Sequence, residues 1–271
     1  MTARTARDAG LRYEVSGDGP ELVLVHELGG SLESFDGLMP LLTPFFRILR
    51  YDQRGAGGSG PARAAMTIED HAAELAHLVD VVGFSAIRSI VGVAAGAAIA
   101  VAYSIQSRAP SSLVLCAPAL SVPPERKAYL QARSDLARRE GMAAVVDASL
   151  ARSYPDALRG DHAAFEAYRA RFLSNDPESY AQANMALAAT RVAEALPKLS
   201  VPCLVIAGWH DLLRPPAEVA ATAADIPGAR FEVIESGHLM PVQAPRDMAD
   251  HILDFVLPQA LQRPASETSH A

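Results

Sequence analysis

The sequence predicts an α/β protein, with a mostly parallel sheet, helices on both of its faces and one inserted helical cap. Three observations carry this. Short continuous apolar runs recur along the chain with helical patterns between them, and strands buried on both faces read as unbroken apolar runs. The alternation stops over one long stretch and then resumes. The length, 271 residues, is enough for one sizeable core with an insertion.

In chain order the strand candidates are ELVLVH (21–26), FRILRYD (46–52), IRSIVGV (87–93), SSLVLCAP (111–118), PCLVIAG (202–208) and RFEVIES (230–236). The stretch TIEDHAAELAHLVDVVGF reads as a helix. Thr67 and Asp70 have capping-box spacing, Ile68, Ala72, Leu75, Val79 and Val82 recur at helical intervals, and Gly83 supplies the stop. From 121 to 195 the chain turns polar and rich in Arg and Ala, broken by YPDALRGD and SNDPES, with no strand pattern. An insertion that leaves one strand and returns just before the next is expected above the carboxyl ends of the sheet, where open α/β sheets bind ligands. The expected division is a core of residues 11–120 and 196–257, a cap of 121–195, and flexible termini at 1–10 and 258–271.

Composition narrows the function classes. Half of the residues are hydrophobic, and no charge-free apolar run reaches the roughly 18 to 20 residues of a membrane-spanning helix. The opening MTARTARDAG lacks the apolar segment of an export signal, so a cytoplasmic location is expected. Cys116 and Cys203 sit in apolar strand-like runs with neither metal-type nor disulfide spacing. A net charge of −7 argues against a nucleic-acid partner. The expectation is a soluble protein for a small-molecule substrate, with no cofactor, metal, nucleic-acid or membrane partner; the sequence carries no sign of its oligomeric state.

The motifs that bear on chemistry stand at strand ends. LVLVHELGG runs a strand into His26 and a Gly-rich turn. YDQRGAGGSG has the form Asp-x-Arg-Gly-x-Gly-x-Ser at Asp52, Arg54, Gly55, Gly57 and Ser59, and reads as a structural turn. GVAAG, Gly92 to Gly96, is a strand turning sharply into a small-residue helix, with Ala94 at its tip. IAGWHDLLRP presents Asp211 just past a strand, and VIESGHLMPVQAP presents His238 past the next.

This set resembles the α/β-hydrolase superfamily, whose chain order of nucleophile, acid and histidine is followed by positions 94, 211 and 238. The segment SNDPESYAQANMALAATRVAEALPKLSVPCLVIAGWHDLLRPP is similar to the 3-oxoadipate enol-lactonase branch, and the resemblance spans roughly residues 11 to 257. It implies an α/β-hydrolase fold and a cofactor-free hydrolase for a small ester, enol-lactone or activated C–C bond. It also implies that His238 accepts the nucleophile's proton, that Asp211 fixes its tautomer, and that the N–H groups of Leu28 and Ala95 form the oxyanion hole.

Two positions depart from the pattern: Ala94 stands where the nucleophilic serine belongs, and Glu27 where the His-Gly-x-Gly turn has glycine. Three explanations follow. The serine has been replaced, by design or by natural loss; or the protein works without one, by acid–base chemistry of His238, Asp211 and Glu27; or it binds a small molecule without turnover. The arginines of the cap, among them Arg126, Arg133, Arg138, Arg139, Arg169 and Arg171, are carboxylate-binding candidates, although charged helix faces are commonly just solvated.

Overall fold

The computed structural model describes residues 4–62, 64–107 and 109–257. Eight strands form one sheet: β1 (Arg4–Asp8), β2 (Leu11–Ser16), β3 (Glu21–Val25), β4 (Arg47–Tyr51), β5 (Ile87–Val93), β6 (Leu113–Cys116), β7 (Cys203–Gly208) and β8 (Arg230–Ile234), in the order β1-β2-β4-β3-β5-β6-β7-β8. The pairs from β4 to β8 are parallel, while β1–β2 and β2–β4 are antiparallel. The helices are α1 (Met39–Leu42), α2 (Ile68–Val81), α3 (Ala95–Gln106), α4 (Pro124–Glu140), α5 (Ala143–Ser153), α6 (His162–Leu173), α7 (Pro177–Ala189), α8 (Pro216–Ala224), α9 (Met240–Gln243) and α10 (Pro245–Val256). This is the α/β-hydrolase fold. None of these helices is long and apolar enough to cross a membrane.

All six apolar runs are strands, and side-chain alternation divides them between two layers. Val23, Val25, Leu49, Ile90, Leu113 and Val205 pack on one face with α2, α3 and α8. Leu22, Leu24, Ile48, Val91, Val114 and Leu204 pack on the other with α1, α9 and α10. In α2 the expected box is present: Thr67 Oγ1 accepts from the Asp70 N–H at 3.0 Å, and the Asp70 carboxylate accepts from the Thr67 N–H at 2.8 Å. Gly83 follows the helix at φ +70°.

The N-terminus corrects an expectation. Residues 4–8 are not a flexible lead-in but β1, paired along its length with β2. β1 is the edge strand and β2 lies next to it, and β2 buries Leu11 and Glu14 while its other residues stay partly exposed. An edge hairpin of this kind has no continuous apolar run, so a reading tuned to buried parallel strands passes over it. The expected flexible segment 258–271 lies outside the described residues.

Between β6 and β7 stand α4 to α7, which add no strand to the sheet. They have an apolar cluster of their own, including Met142, Val145, Leu150, Tyr154, Tyr168, Phe172 and Tyr180, reaching Leu239 from the loop beyond β8.

Candidate active site

The turn from β5 into α3 is as tight as its glycines suggest. Ala94 has φ 50° and ψ −109°, a backbone conformation that side-chain-bearing residues rarely adopt, costing on the order of 1–3 kcal/mol. A Cβ on Gly92 would lie 2.5 Å from the Gly96 carbonyl oxygen and 2.6 Å from the Ala97 Cα, and one on Gly96 would run into the Val25 carbonyl. The turn is braced from β6: the Ala94 N–H donates to the Cys116 carbonyl at 2.9 Å, and the Ala119 N–H donates to the Ala94 carbonyl at 3.1 Å.

Asp211 and His238 meet, although 27 residues separate them. His238 Nδ1 lies 2.8 Å from Asp211 Oδ2, and both residues are buried. Asp211 Oδ1 accepts from the N–H groups of Leu213 and Arg214 at 2.8 and 2.9 Å. Burial raises the Asp211 carboxyl, but the charge and hydrogen bond of His238 and the two amides outweigh it and hold the group below the usual carboxylate range. An ionised Asp211 makes Nδ1 the protonated ring nitrogen and leaves Nε2 as the basic one.

The turn after β3 is fixed from several sides. The Gln53 N–H donates to His26 Nε2 at 3.0 Å, so Nδ1 carries the proton and donates to the Glu27 carbonyl at 2.7 Å. The Gly30 N–H closes the turn onto the same carbonyl at 3.1 Å. Asp52, fully buried, accepts from the N–H groups of Leu32 and Gly58 at 2.7 Å each. The motif containing Asp52 thus holds the neighbouring loop. Glu27 is 1% exposed, and its hydrogen bonds run to Ser34 Oγ at 2.8 Å and Tyr168 OH at 2.9 Å, not to His238.

A cavity of about 110 Å³ gathers these elements. Leu28, Ala94, Ala95 and His238 line it from the carboxyl ends of the strands, and α4 to α7 contribute Leu130, Tyr168, Phe172 and Tyr180. Glu27 is not on its wall, and neither is Cys116, whose thiol is fully buried and pushed far above its ordinary range by that burial. Cys116 therefore has none of the character of a nucleophile. Among the described residues no group of three His, Cys, Asp or Glu side chains is placed to hold a metal ion.

Four arginines line the same cavity: Arg126, Arg133, Arg152 and Arg214. Of the six cap arginines singled out in the sequence, Arg126 and Arg133 reach it; Arg138 and Arg169 pair with Glu178 and Asp147. Arg139 is exposed, and Arg171 lies 5.5 Å over the Tyr168 ring. Glu218 answers Arg126 at 2.7 Å and Arg214 at 3.9 Å. Among the described residues Arg133 donates only to neutral acceptors, Asn184 Oδ1 at 2.6 Å and Ser149 Oγ at 3.3 Å, and its Nε is buried without a partner; the Tyr129 and Tyr180 rings flank it. Sequence reasoning missed Arg152, Arg214 and Tyr168. Arg214 alone carried a signal, standing three residues after Asp211.

The family model described as serine aminopeptidase, S33 (Hydrolase_4) matches residues 20–238. The chain belongs to this family. Its relatives include the pyrrolizixenacetamide deacetylase of Xenorhabdus hominickii, 29% identical over 257 residues that cover 92% of this chain and 96% of that protein. Two solved structures share the fold along nearly the whole length. The enol-lactonase from Burkholderia xenovorans is 29% identical with a TM-score of 0.86, covering 93% of this chain and 99% of that one. A thermophilic esterase from Thermogutta terrifontis, described as malate bound, is 28% identical with a TM-score of 0.85, covering 94% and 97%. These relatives are hydrolases of the α/β-hydrolase fold, and this chain is an enzyme of that type.

Proposed function

We propose that this chain is an α/β-hydrolase for a small ester, enol-lactone or activated C–C bond, with Ala94 standing where the family's serine nucleophile belongs. The observation that carries the reading is that His238, held by the buried Asp211, faces the same cavity as a strained, hydroxyl-free Ala94. Such strain is tolerated at a nucleophile elbow because it lifts the tip residue clear of the sheet. The core comprises residues 4–120 and 196–257, with β1 included in its sheet, and residues 121–195 form the cap that selects the substrate. The enol-lactonase relative supports that substrate range.

Without a side-chain nucleophile, the chemistry left to the pocket is that of the dyad on water. His238 Nε2 takes a proton from water as its oxygen attacks the carbonyl carbon; Asp211 stabilises the imidazolium; the N–H groups of Leu28 and Ala95 hold the oxyanion. Collapse of the tetrahedral intermediate breaks the bond to the leaving oxygen, which takes the proton back from His238. The arginines of the cavity, Arg133 above all, support a substrate that carries an anionic group, and the malate-bound esterase relative fits that chemistry.

A second reading is that the chain is a hydrolase silenced at position 94. Turnover by the Ala94 protein itself separates the two. Under either, Ala94→Ser is expected to form an acyl-enzyme with a chromogenic acetate ester, detected as a burst and as an adduct on position 94 by mass spectrometry. Ester or enol-lactone turnover by the Ala94 protein that disappears in His238→Gln supports the water mechanism. If Ala94→Ser forms no adduct, position 94 is not the nucleophile's position.

A further inference from the structure

We propose that Glu27 is a positioning residue: by tying the turn after β3 to Tyr168 of α6, it sets the Leu28 N–H in the cavity when the cap is seated. The proposal rests on the reading of Leu28 as an oxyanion donor, and it goes beyond it in assigning a role to the residue that replaces the family's glycine.

The side chain is an expensive one to bury. Glu27 is 1% exposed, and both of its hydrogen bonds, from Ser34 Oγ and Tyr168 OH, fall on Oε1. Oε2 is buried with no partner, and among the described residues no Lys, Arg or His nitrogen lies within ion-pair distance of it. Burying a charge with incomplete hydrogen bonding costs stability, and a native group left so needs a reason other than stability. The surroundings are fitted to it. A Cβ on Gly30 would collide with the Glu27 carboxylate, so the absence of a side chain at 30 makes the room that the one at 27 fills.

What the carboxylate grips is the second part of the argument. Ser34 belongs to the core loop just beyond the turn, and Tyr168 to a cap helix. Burial, and then the charge and hydrogen bond of Glu27, hold the Tyr168 phenol well above its ordinary range, so it remains a donor at any ordinary pH. A phenol donating to a carboxylate is a charge-assisted bond, stronger than a neutral one. The cap holds this turn elsewhere too: Asn175 Nδ2 donates to the Gly29 carbonyl at 3.1 Å, and the Phe172 and Tyr180 rings close over Gly29. Leu28, between these two grips, has its amide position set by both chain segments. An oxyanion donor acts on the transition state and not on the bound substrate, so loosening it lowers the chemical rate and spares ground-state binding.

The test uses Ala94→Ser as a reporter with p-nitrophenyl acetate. Glu27→Ala and Tyr168→Phe are each expected to lower the acylation rate about 10- to 100-fold, below the full loss of a hole donor, with KM changed less than about threefold. Glu27→Gln, whose carbonyl oxygen accepts both bonds, is expected to recover most of that rate. Hydrogen exchange of the Ala94 protein gives a readout independent of catalysis. Tyr168→Phe should speed exchange in the peptides covering 27–35 and 162–173 together, and Glu27→Gln should not. Unchanged exchange at 27–35 in Tyr168→Phe, or acylation unaffected by losing the bond, overturns the proposal. If Ala94→Ser forms no acyl-enzyme, the reading of position 94 falls and the exchange result alone decides the tie.

Discussion

His238 Nδ1 and Asp211 Oδ2 lie 2.8 Å apart, buried, at the ends of loops that leave two adjacent parallel strands. The sheet brings them together: β7 and β8 are neighbours, and the His210 N–H donates to the Ser236 carbonyl at 2.8 Å across their ends. In the Ala94→Ser protein, Asp211→Asn keeps the shape but holds the wrong imidazole tautomer, and acylation is expected to fall by roughly 10⁴-fold. Burst kinetics measure it; a fall of less than tenfold would separate Asp211 from the histidine's function.

Arg133 offers a test of substrate charge. Among the described residues its guanidinium has neutral partners and an unpartnered Nε beside the cavity, so an incoming carboxylate meets donors that none of their carboxylates has neutralised. Small monocarboxylates and dicarboxylates should bind the native protein, and Arg133→Met should weaken them at least tenfold, the order of one charge-assisted hydrogen bond. Arg133→Lys should recover little, because the flat fork is lost. Calorimetry with a carboxylate and its neutral amide decides it; equal binding of the two would remove the anionic group from the substrate.

The six parallel strands and the three strand-end positions 94, 211 and 238 were legible in sequence because buried parallel strands and tight turns each demand a distinctive residue type. The outer antiparallel strands β1 and β2 were not, since β2 is only partly buried and mixes its buried Leu11 with charged residues such as Arg12 and Glu14, which leaves no continuous apolar run. The destinations of the arginines were equally hidden. Helical spacing in 124–140 does not distinguish Arg133, turned into the cavity, from Arg138, paired on the surface with Glu178, because that depends on how α4 packs against α7. Glu27 marked itself as unusual by replacing a glycine, but its partner Tyr168 lies 141 residues away and only the fold names it.

The close approach of strand and helix at the β5–α3 turn gives a stability prediction. Gly96→Ala places a methyl group against the Val25 and His26 carbonyls, backbone atoms that cannot step aside without moving β3. It is expected to cost about 3 kcal/mol or more, at the upper end of overpacking penalties. Gly160→Ala, where a Cβ meets nothing within 4 Å, is the control and should change stability by less than about 0.5 kcal/mol. Urea unfolding midpoints compare the two; equal midpoints would mean that the turn relaxes freely.

His71 makes stability depend on pH in a stated direction. It lies in α2, 4% exposed, near Asp70, Arg54 and His26, with Nδ1 4.0 Å from Glu74 Oε2. Burial, the nearby His26 and the Arg54 charge push its pKa down to about 4, against the weaker pull of Asp70. An unfolded chain protonates this imidazole near 6.5, so between about 6.5 and 4 the unfolded state binds the extra proton. The contribution is therefore complete above pH 6.5 and is lost as pH falls toward 4, with a total on the order of 3 kcal/mol. Glu74 works the other way, because burial raises its carboxyl and the folded state takes up its proton first. The comparison must therefore be between proteins that share Glu74. His71→Gln keeps a polar side chain of similar reach without the titration, so its unfolding free energy should fall less than the parent's between pH 7.5 and pH 4.5. Parallel declines in the two proteins would show that His71 does not titrate in the folded state as its burial requires.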